Sequence, residues 1–168
     1  MMFGWFKKKE RASIDPEDII KIHRLYPIVA NAAEKLILNA TKEHLNIGVF
    51  SSLRTIEEQR ELYAKGRSKP GDIITNSRIS YHNFGLAVDI VFKDDKGNWS
   101  WDKHHNWNRL GEIGKEVGFE WGGDWETIKD FPHFQMTFGL SLKDLERLLG
   151  DNNDIGQIWA YIDDLNRI

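Results

Sequence analysis

The sequence predicts an α+β domain in which a small, mainly antiparallel sheet is flanked by helices. Helical and strand-like segments alternate irregularly along the 168 residues, without the regular strand–helix–strand repeat of a parallel sheet. Hydrophobic residues make up 40% of the chain, which is enough to fill the core of one domain. Because no repeat, low-complexity stretch or linker divides the chain, we expect a single domain.

The composition argues against several classes of protein. A net charge of -3 gives no support to nucleic-acid binding, which usually requires a basic excess. The absence of cysteine rules out disulfides, thiolate zinc ligands and a cysteine nucleophile. The first residues, MMFGWFKKK, lack the order of a signal peptide, and no segment reaches the ~20 apolar residues of a membrane span. We therefore expect a monomer made in the cytoplasm, with a flexible N-terminus at residues 1–14.

Two helices are predicted at the start of the domain. Asp15-Pro16-Glu17-Asp18 combines a cap residue, a proline at the first helical position and acids in the first turn. This helix should end near Tyr26-Pro27. The apolar residues of a second helix recur at helical spacing, at Val29, Ala33, Leu36, Ile37 and Ala40. Both helices are interpreted as scaffold.

The middle of the chain predicts two strands separated by a helix and a long loop. Residues 47–53 form the first strand, and Thr55-Ile56-Glu57-Glu58 is a capping box that opens a helix closed by Gly66. Residues 67–80 are polar and contain Pro70-Gly71, so they form a loop. The second strand spans residues 86–92, and a hairpin turn follows at residues 95–98.

Helices dominate the last third of the chain. A helix striped by Trp107, Leu110, Ile113 and Val117 ends at Gly118, and residues 121–125 form a loop. A strand follows at residues 132–138. Two more helices occupy residues 141–168, and we expect them to pack on the domain formed by residues 15–140. A small appended interaction element is the alternative for these last helices.

An acidic residue interrupts the apolar strand at residues 86–92. Burying the carboxylate of Asp89 is costly unless a cation compensates it. His82 lies upstream and His133 downstream, and two histidines with one carboxylate suit a catalytic zinc that keeps its fourth position for water. The alternative is a structural ion pair between Asp89 and Arg54. His104 and His105 are adjacent, so their side chains diverge, and we interpret them as surface residues.

Hydrolysis at such a metal requires two further groups. A general base must take a proton from water and pass it to the leaving amine, and Asp130 lies three residues before His133. A cation must stabilise the developing oxyanion, and Arg54 lies where a strand meets a loop. A simple capping role at the start of the strand is the alternative for Asp130.

Four motifs occur in an order that resembles the D-Ala-D-Ala and L-Ala-D-Glu zinc metallopeptidases, a family that includes vancomycin-resistance dipeptidases and several phage endolysins. The resemblance covers about residues 25–140. The motifs are Ser51-Ser52-Leu53-Arg54-Thr55 with Gln59, Ser80-x-His82-x-x-Gly85-x-Ala87-x-Asp89, Trp121-Gly122-Gly123-Asp124-Trp125, and Asp130-x-x-His133 followed by Phe134-Gln135.

The resemblance implies a zinc endopeptidase that cuts the peptidoglycan stem peptide between L-Ala and D-Glu. By position, His82, Asp89 and His133 would bind one Zn²⁺ per chain, Asp130 would be the general base, and Arg54 would contact the substrate or the oxyanion. The absence of an export signal fits a phage or prophage endolysin that is stored in the cytoplasm and acts on the wall after release.

The same resemblance places Ser80 in the site and Gln59 in its first motif, and we expect both to contact the substrate. Trp121 and Trp125 offer flat apolar walls to a peptide or sugar, although tryptophan is equally suited to a core. The D-Glu carboxylate could be bound by Arg54, Arg67 or Arg78, and the sequence does not choose among them.

Two positions depart from the family pattern. Ser52 stands where glycine is common. Phe131 replaces a second histidine found in some carboxypeptidases, which favours an endopeptidase over the alternative D-Ala-D-Ala carboxypeptidase or dipeptidase. A non-catalytic wall-binding module is the third hypothesis.

Overall fold

The computed structural model describes residues 13–167, so most of the predicted flexible N-terminus lies outside the described residues. This part of the chain forms six α-helices and five short strands. In chain order the elements are α1 (Pro16–Ile22), α2 (Pro27–Lys42), β1 (Ile47–Ser51), α3 (Ile56–Ala64), β2 (Ala87–Lys93), β3 (Trp99–Ser100), α4 (Trp107–Glu116), β4 (Glu120–Trp121), β5 (His133–Gln135), α5 (Leu142–Leu149) and α6 (Ile155–Leu165).

Every described α-helix except α2, which begins with a proline, starts where a side chain accepts a hydrogen bond from a free backbone N–H group. The Asp15 carboxylate accepts a hydrogen bond from the backbone N–H of Glu17 at 2.9 Å. Thr55 and Glu58 form the predicted capping box of α3, with each side chain accepting from the other residue's backbone N–H. Ser141 and Asp144 do the same for α5. The predicted starts of these three helices are confirmed.

The described strands form one antiparallel sheet in the order β1-β2-β5-β4, with β3 paired to the end of β2. The β2–β3 pair is the predicted hairpin, and its turn is closed by Gly97 N–H donating to the Asp94 carbonyl at 2.9 Å. Asp89 lies opposite Ser51 of β1 on one side and opposite His133 of β5 on the other. The α+β prediction is confirmed, and the sheet is small and open.

The helices bury the core against the sheet. Phe134 of β5 is fully buried and packs edge to face on Phe119, with ring centroids 5.9 Å apart. The C-terminal helices add Leu145 of α5 and Ile158 of α6 to the same core. Trp159 of α6 also donates its indole N–H to the carbonyl of Phe84 at 2.8 Å. This hydrogen bond places α6 against the segment that precedes β2.

The predicted strand at residues 132–138 is too long. The strand comprises His133–Gln135 only, and Phe138 and Gly139 have positive φ angles of 51° and 75°, which turn the chain towards α5. The first strand likewise ends at Ser51 rather than residue 53. Trp121, predicted in a loop, belongs to the two-residue strand β4, which pairs with β5. Strands this short lack the alternation that makes a strand visible in sequence.

No helix among residues 13–167 is long and apolar enough to cross a membrane.

Candidate metal centre and active site

The sheet register brings an acid and two histidines into direct contact. Asp89 Oδ1 lies 3.1 Å from His82 Nε2 and 3.2 Å from His133 Nδ1. One potential ligand atom from each of the three residues lies within 4.8 Å of the other two. The three residues predicted to bind a metal therefore form one cluster, although they are distant in sequence.

A single helical turn positions His82. Residues Tyr81–Phe84 form a short 3₁₀ helix capped by Ser80, and Gly85 ends it with φ 69°, a left-handed conformation that favours glycine. His82 is only 2% exposed, and its Nδ1 lies 2.7 Å from the carbonyl oxygen of Ser52. Because that carbonyl can only accept, Nδ1 carries the proton and Nε2 is left with a lone pair for a metal.

The second histidine is oriented by its own strand. His133 Nε2 lies 2.9 Å from Gln135 Oε1, and Gln135 Nε2 donates to Glu120 Oε2 at 3.1 Å. The Gln135 acceptor fixes the proton on Nε2, so Nδ1 faces Asp89 with its lone pair. The strand alternation predicted Gln135 on the face of the site, but neither Gln135 nor Glu120 was assigned a role there. The available signal was the strand alternation that puts Gln135 on the same face as His133.

The electrostatics of the cluster favour a charged Asp89. Burial by itself would raise the pKa of Asp89, but the charges and hydrogen bonds of His82 and His133 outweigh burial and hold the pKa well below its usual range. Burial would lower the pKa of His133, yet the hydrogen bond and charge of Asp89 raise it. With the remote nitrogens protonated, the facing nitrogens can hydrogen-bond Asp89 only when a ring carries a second proton, and a cation bound among the three residues would take the place of that proton.

This donor set fits a zinc ion. Two neutral imidazole nitrogens and one carboxylate oxygen are ligands that zinc accepts in catalytic sites, where a fourth position remains for water or substrate. Each histidine has its remote ring nitrogen hydrogen-bonded to an oxygen acceptor, Ser52 in one case and Gln135 in the other. This outer arrangement is typical of metal-binding histidines.

Arg54 lies beside the cluster, held in place by two polar side chains. Its Nη1 donates to Gln59 Oε1 at 2.7 Å and its Nη2 donates to Ser51 Oγ at 3.0 Å. The same Nη2 lies 3.5 Å from Asp89 Oδ2, so the ion pair considered from the sequence exists together with the histidine cluster. Arg54 also lines the cleft, and its substrate-facing role stays a prediction.

Asp130 approaches the cluster from the loop between β4 and β5. Burial of its carboxyl and the negative charge of Asp89 raise its pKa, while His133, His82 and Arg54 act in the opposite direction. The Asp130 carbonyl accepts from the backbone N–H of His133 at 3.1 Å.

A close backbone approach also holds the Asp130 loop. The backbone N–H of Asp130 donates to the Gly122 carbonyl at 3.0 Å. A side chain at position 122 would place its Cβ 2.5 Å from the Asp130 carbonyl oxygen, so only glycine fits there.

The cluster opens into a cleft of about 1510 Å³, which the other predicted site residues line to different degrees. Ser80 and Trp125 line it, and the Trp125 ring lies 5.2 Å from the His133 ring between centroids. Gln59 is fully buried and contacts the site through Arg54. Trp121 is 5% exposed, and its indole N–H donates to the Phe131 carbonyl at 2.8 Å. The structure therefore places Trp121 in the core and does not bring it into the cleft.

The arginines considered for the D-Glu carboxylate do not converge. Arg67 and Arg78 lie over the Tyr63 ring, 4.1 and 5.1 Å from its centroid, and line a separate pocket. Arg54 alone of the three lines the cleft that contains the cluster. His104 is exposed, and His105 stacks on Phe92 with ring centroids 4.4 Å apart, outside the cluster.

Known sequences similar to this chain are peptidases. Residues 74–136 match a peptidase family model described as D-alanyl-D-alanine carboxypeptidase. The peptidoglycan L-alanyl-D-glutamate endopeptidase CwlK of Bacillus subtilis (strain 168) is 40% identical over 122 residues, which cover 67% of this chain and 73% of that protein. The L-alanyl-D-glutamate peptidase of Listeria phage A118 is 27% identical over 121 residues, which cover 71% of this chain and 41% of that longer protein.

Solved structures have the same fold. The Serratia marcescens L-Ala D-Glu endopeptidase ChiX superposes with a TM-score of 0.59 at 25% identity, covering 79% of this chain and 95% of that one. VanYB in complex with D-alanine-D-alanine superposes with a TM-score of 0.51 at 17% identity, covering 81% and 82% of the two chains. The second similarity concerns the fold alone.

Proposed function

Because the chain belongs to the M15 family of peptidases, we propose that it is a zinc-dependent endopeptidase that hydrolyses the L-Ala–D-Glu bond of the peptidoglycan stem peptide. The observation that carries this proposal is the His82–Asp89–His133 cluster, which lies at the floor of an open cleft with Asp130 and Arg54 beside it. Three similar proteins are named for cleavage between L-alanine and D-glutamate.

His82, Asp89 and His133 would hold the zinc ion through Nε2, a carboxylate oxygen and Nδ1, which are the atoms that face one another. A bound zinc ion supplies Lewis-acid polarisation and lowers the pKa of a water molecule towards ~7.

Asp130 is proposed as the general base. Burial and Asp89 raise the pKa of Asp130 towards neutral pH. A carboxylate with such a pKa can accept the proton of the attacking water and then return it to the amine of D-Glu. Arg54 is the cationic side chain beside the proposed metal ligand Asp89. Its guanidinium would stabilise negative charge on the carbonyl oxygen of L-Ala or bind the D-Glu carboxylate, held in place by Gln59 and Ser51.

Digestion of purified peptidoglycan tests the proposal. We expect wild-type protein with zinc to produce new N-terminal D-Glu ends and no free D-Ala, and we expect a chelator to abolish the product and added zinc to restore it. Product ends are identified by labelling free amines and by mass spectrometry of the released peptides.

The same digest separates the alternatives. Chelator-sensitive release of D-Ala would make the protein a carboxypeptidase or dipeptidase of this fold, the activity in the family model's description. Binding to the wall without any product would make it a non-catalytic module. The presence of Asp130 and all three potential ligands in one cleft supports a catalytic protein.

We also propose that the protein acts on the cell wall after release from the cytoplasm, as a phage or prophage endolysin. The similarity to a Listeria phage peptidase supports this setting.

A further inference from the structure

Two large aromatic side chains are exposed at the rim of the cleft that contains the histidine cluster. Phe50 is 45% exposed and Trp101 is 52% exposed among the residues that the structure describes. Their ring centroids lie 5.1 Å apart with an interplanar angle of 88°, and both line the cleft. We call this pair the aromatic platform. Exposed apolar surface of this kind commonly marks a binding site.

The aromatic platform lies close to the proposed metal centre. Ser51 of β1 pairs directly with Asp89 of β2, and Phe50 precedes Ser51 at the irregularity in the β1–β2 register. With strands ~4.8 Å apart and ~3.4 Å per residue, the Phe50 backbone lies roughly 6 Å from that of Asp89. Trp101 follows β3, which pairs with the far part of β2. Both rings therefore line the same cleft as Asp89 and lie on or next to strands that pair with β2.

The aromatic platform packs on Trp99 through Phe50, and the rest of its surface is exposed to solvent. Phe50 also packs edge to face on Trp99, with centroids 5.5 Å apart. Lys21 and Lys93 cover the Trp99 ring, with ammonium groups 5.4 and 5.0 Å from its centroid. The Trp99 ring is therefore covered by lysine side chains of the same protein, whereas Phe50 and Trp101 present exposed apolar surface to a ligand.

The substrate of the proposed endopeptidase carries a sugar ring close to the bond that is cut. This step rests on the proposed function. The L-Ala residue before the scissile bond is joined through a lactyl group to N-acetylmuramic acid, so the sugar begins within two short units of the bond. At ~3.5 Å per extended unit, the ring lies roughly 7–10 Å from the scissile carbonyl. The sugar must therefore occupy either the rim of the cleft or the solvent next to it.

We propose that the aromatic platform binds the N-acetylmuramic acid ring to which the stem peptide is attached. A pyranose ring presents a face of C–H groups that can pack on an aromatic surface while its polar edges remain hydrated. The charged carboxylates of the stem peptide would gain no partner from Phe50 or Trp101, because the faces of aromatic rings repel negative charge. Trp125, the other exposed tryptophan of the cleft, already packs against the His133 ring.

Paired substrates test the proposal with the zinc-loaded protein. One is N-acetylmuramyl-L-Ala-D-Glu-L-Lys, and the other is the same tripeptide with an acetyl group in place of the sugar. We expect wild-type protein to prefer the sugar-bearing substrate in kcat/KM, and we expect Trp101→Ala to reduce this preference about tenfold. Trp101→Phe, which keeps an aromatic ring, should retain part of it. Tyr161→Ala, which removes a 42% exposed aromatic of α6, should retain all of it.

The possible outcomes separate the proposed sugar binding by the aromatic platform from the proposed endopeptidase activity. Equal kcat/KM for the two substrates in wild type, or an unchanged ratio in Trp101→Ala, would overturn the platform and leave the endopeptidase intact. Equal loss on both substrates in Trp101→Ala would also overturn it. If wild type cleaves neither substrate, the proposed function fails, and the platform proposal fails with it.

Discussion

At the scale of single residues, Asp89 is the centre of the candidate metal site. Its carboxylate contacts His82 and His133 through Oδ1 and lies near Arg54 through Oδ2, with its side chain 17% exposed. A charge in this position is stabilised only while its partners are present. Asp130, at the edge of the same cluster, contacts none of the potential ligands through its carboxylate. Binding and catalysis can therefore be separated by mutation.

We predict that His82→Ala loses zinc and activity together, whereas Asp130→Asn keeps zinc and loses activity. Removing a ligand leaves two donors, too few for a stable site, while removing a general base typically costs about 10²–10⁴-fold in rate. Metal analysis of the purified variants and the peptidoglycan digest measure the two effects. His104→Ala, an exposed histidine outside the cluster, is the control. An Asp130→Asn variant with full activity would contradict the proposed base.

The hydrogen bond from His133 to Gln135 gives a second residue-scale prediction. Gln135→Met keeps the size of the side chain but removes the acceptor, and loss of such an outer contact typically weakens metal binding by about 10–100-fold. A competition titration with a zinc chelator measures the change. Thr137→Val is the matched control, because Thr137 donates to the same Glu120 without touching His133. Similar zinc affinity in Gln135→Met and wild type would show that Gln135 does not orient the ligand.

At the scale of elements, helix α6 is tied to the start of α2 by a buried tyrosine. The Tyr26 hydroxyl donates to Asp163 Oδ1, and Tyr26 is 1% exposed. Burial and the Asp163 carboxylate raise the pKa of Tyr26 from its ordinary value of 10.0 to about 12. The folded state thus holds this proton more tightly than the unfolded chain, so the stabilisation is complete below pH 10 and is lost as the pH rises towards 12.

We therefore predict that the free energy of unfolding of wild type falls relative to Tyr26→Phe between pH 10 and pH 12, by roughly 2–3 kcal/mol. Urea unfolding of both proteins across this pH range measures the difference in their free energies of unfolding. Other groups that titrate in the same way in both proteins do not contribute to this difference. Asp163 is exposed, so the phenylalanine variant leaves no buried charge. Parallel pH profiles for the two proteins would mean that the Tyr26 proton is not held by the fold.

At the scale of the whole molecule, the proposed metal joins segments that are distant in sequence. His82 precedes β2, Asp89 lies within it, and His133 begins β5, so zinc bound to the folded state stabilises the sheet by mass action. At a zinc concentration ~100 times the dissociation constant, we predict a melting temperature about 5–10 °C higher than in chelator. Calorimetry of wild type and His82→Ala checks this, since the variant should not respond to zinc. An equal response of both proteins would place the stabilising zinc elsewhere.

Much of the fold and of the candidate site could be predicted from the sequence because the signals are local. The caps at Asp15, Thr55 and Ser141 act over three residues, and they mark helix starts wherever the helix is placed. The isolated acid Asp89 indicated a cation because its neighbours along the strand are apolar. Other features could not be predicted. The two-residue strand β4 is a strand only because it pairs with β5.

The sequence by itself determined the class of fold, the residues of the candidate metal cluster and the family that they resemble, since each depends on residue type and spacing along the chain. Only the tertiary structure decided which side chains share the cleft. Trp121 is buried in the core and does not line the cleft, and Arg67 and Arg78 pack on Tyr63 and line another pocket. The orienting role of Gln135 and the exposed pair Phe50 and Trp101 also depend on strand register and packing, which join residues without any local signal.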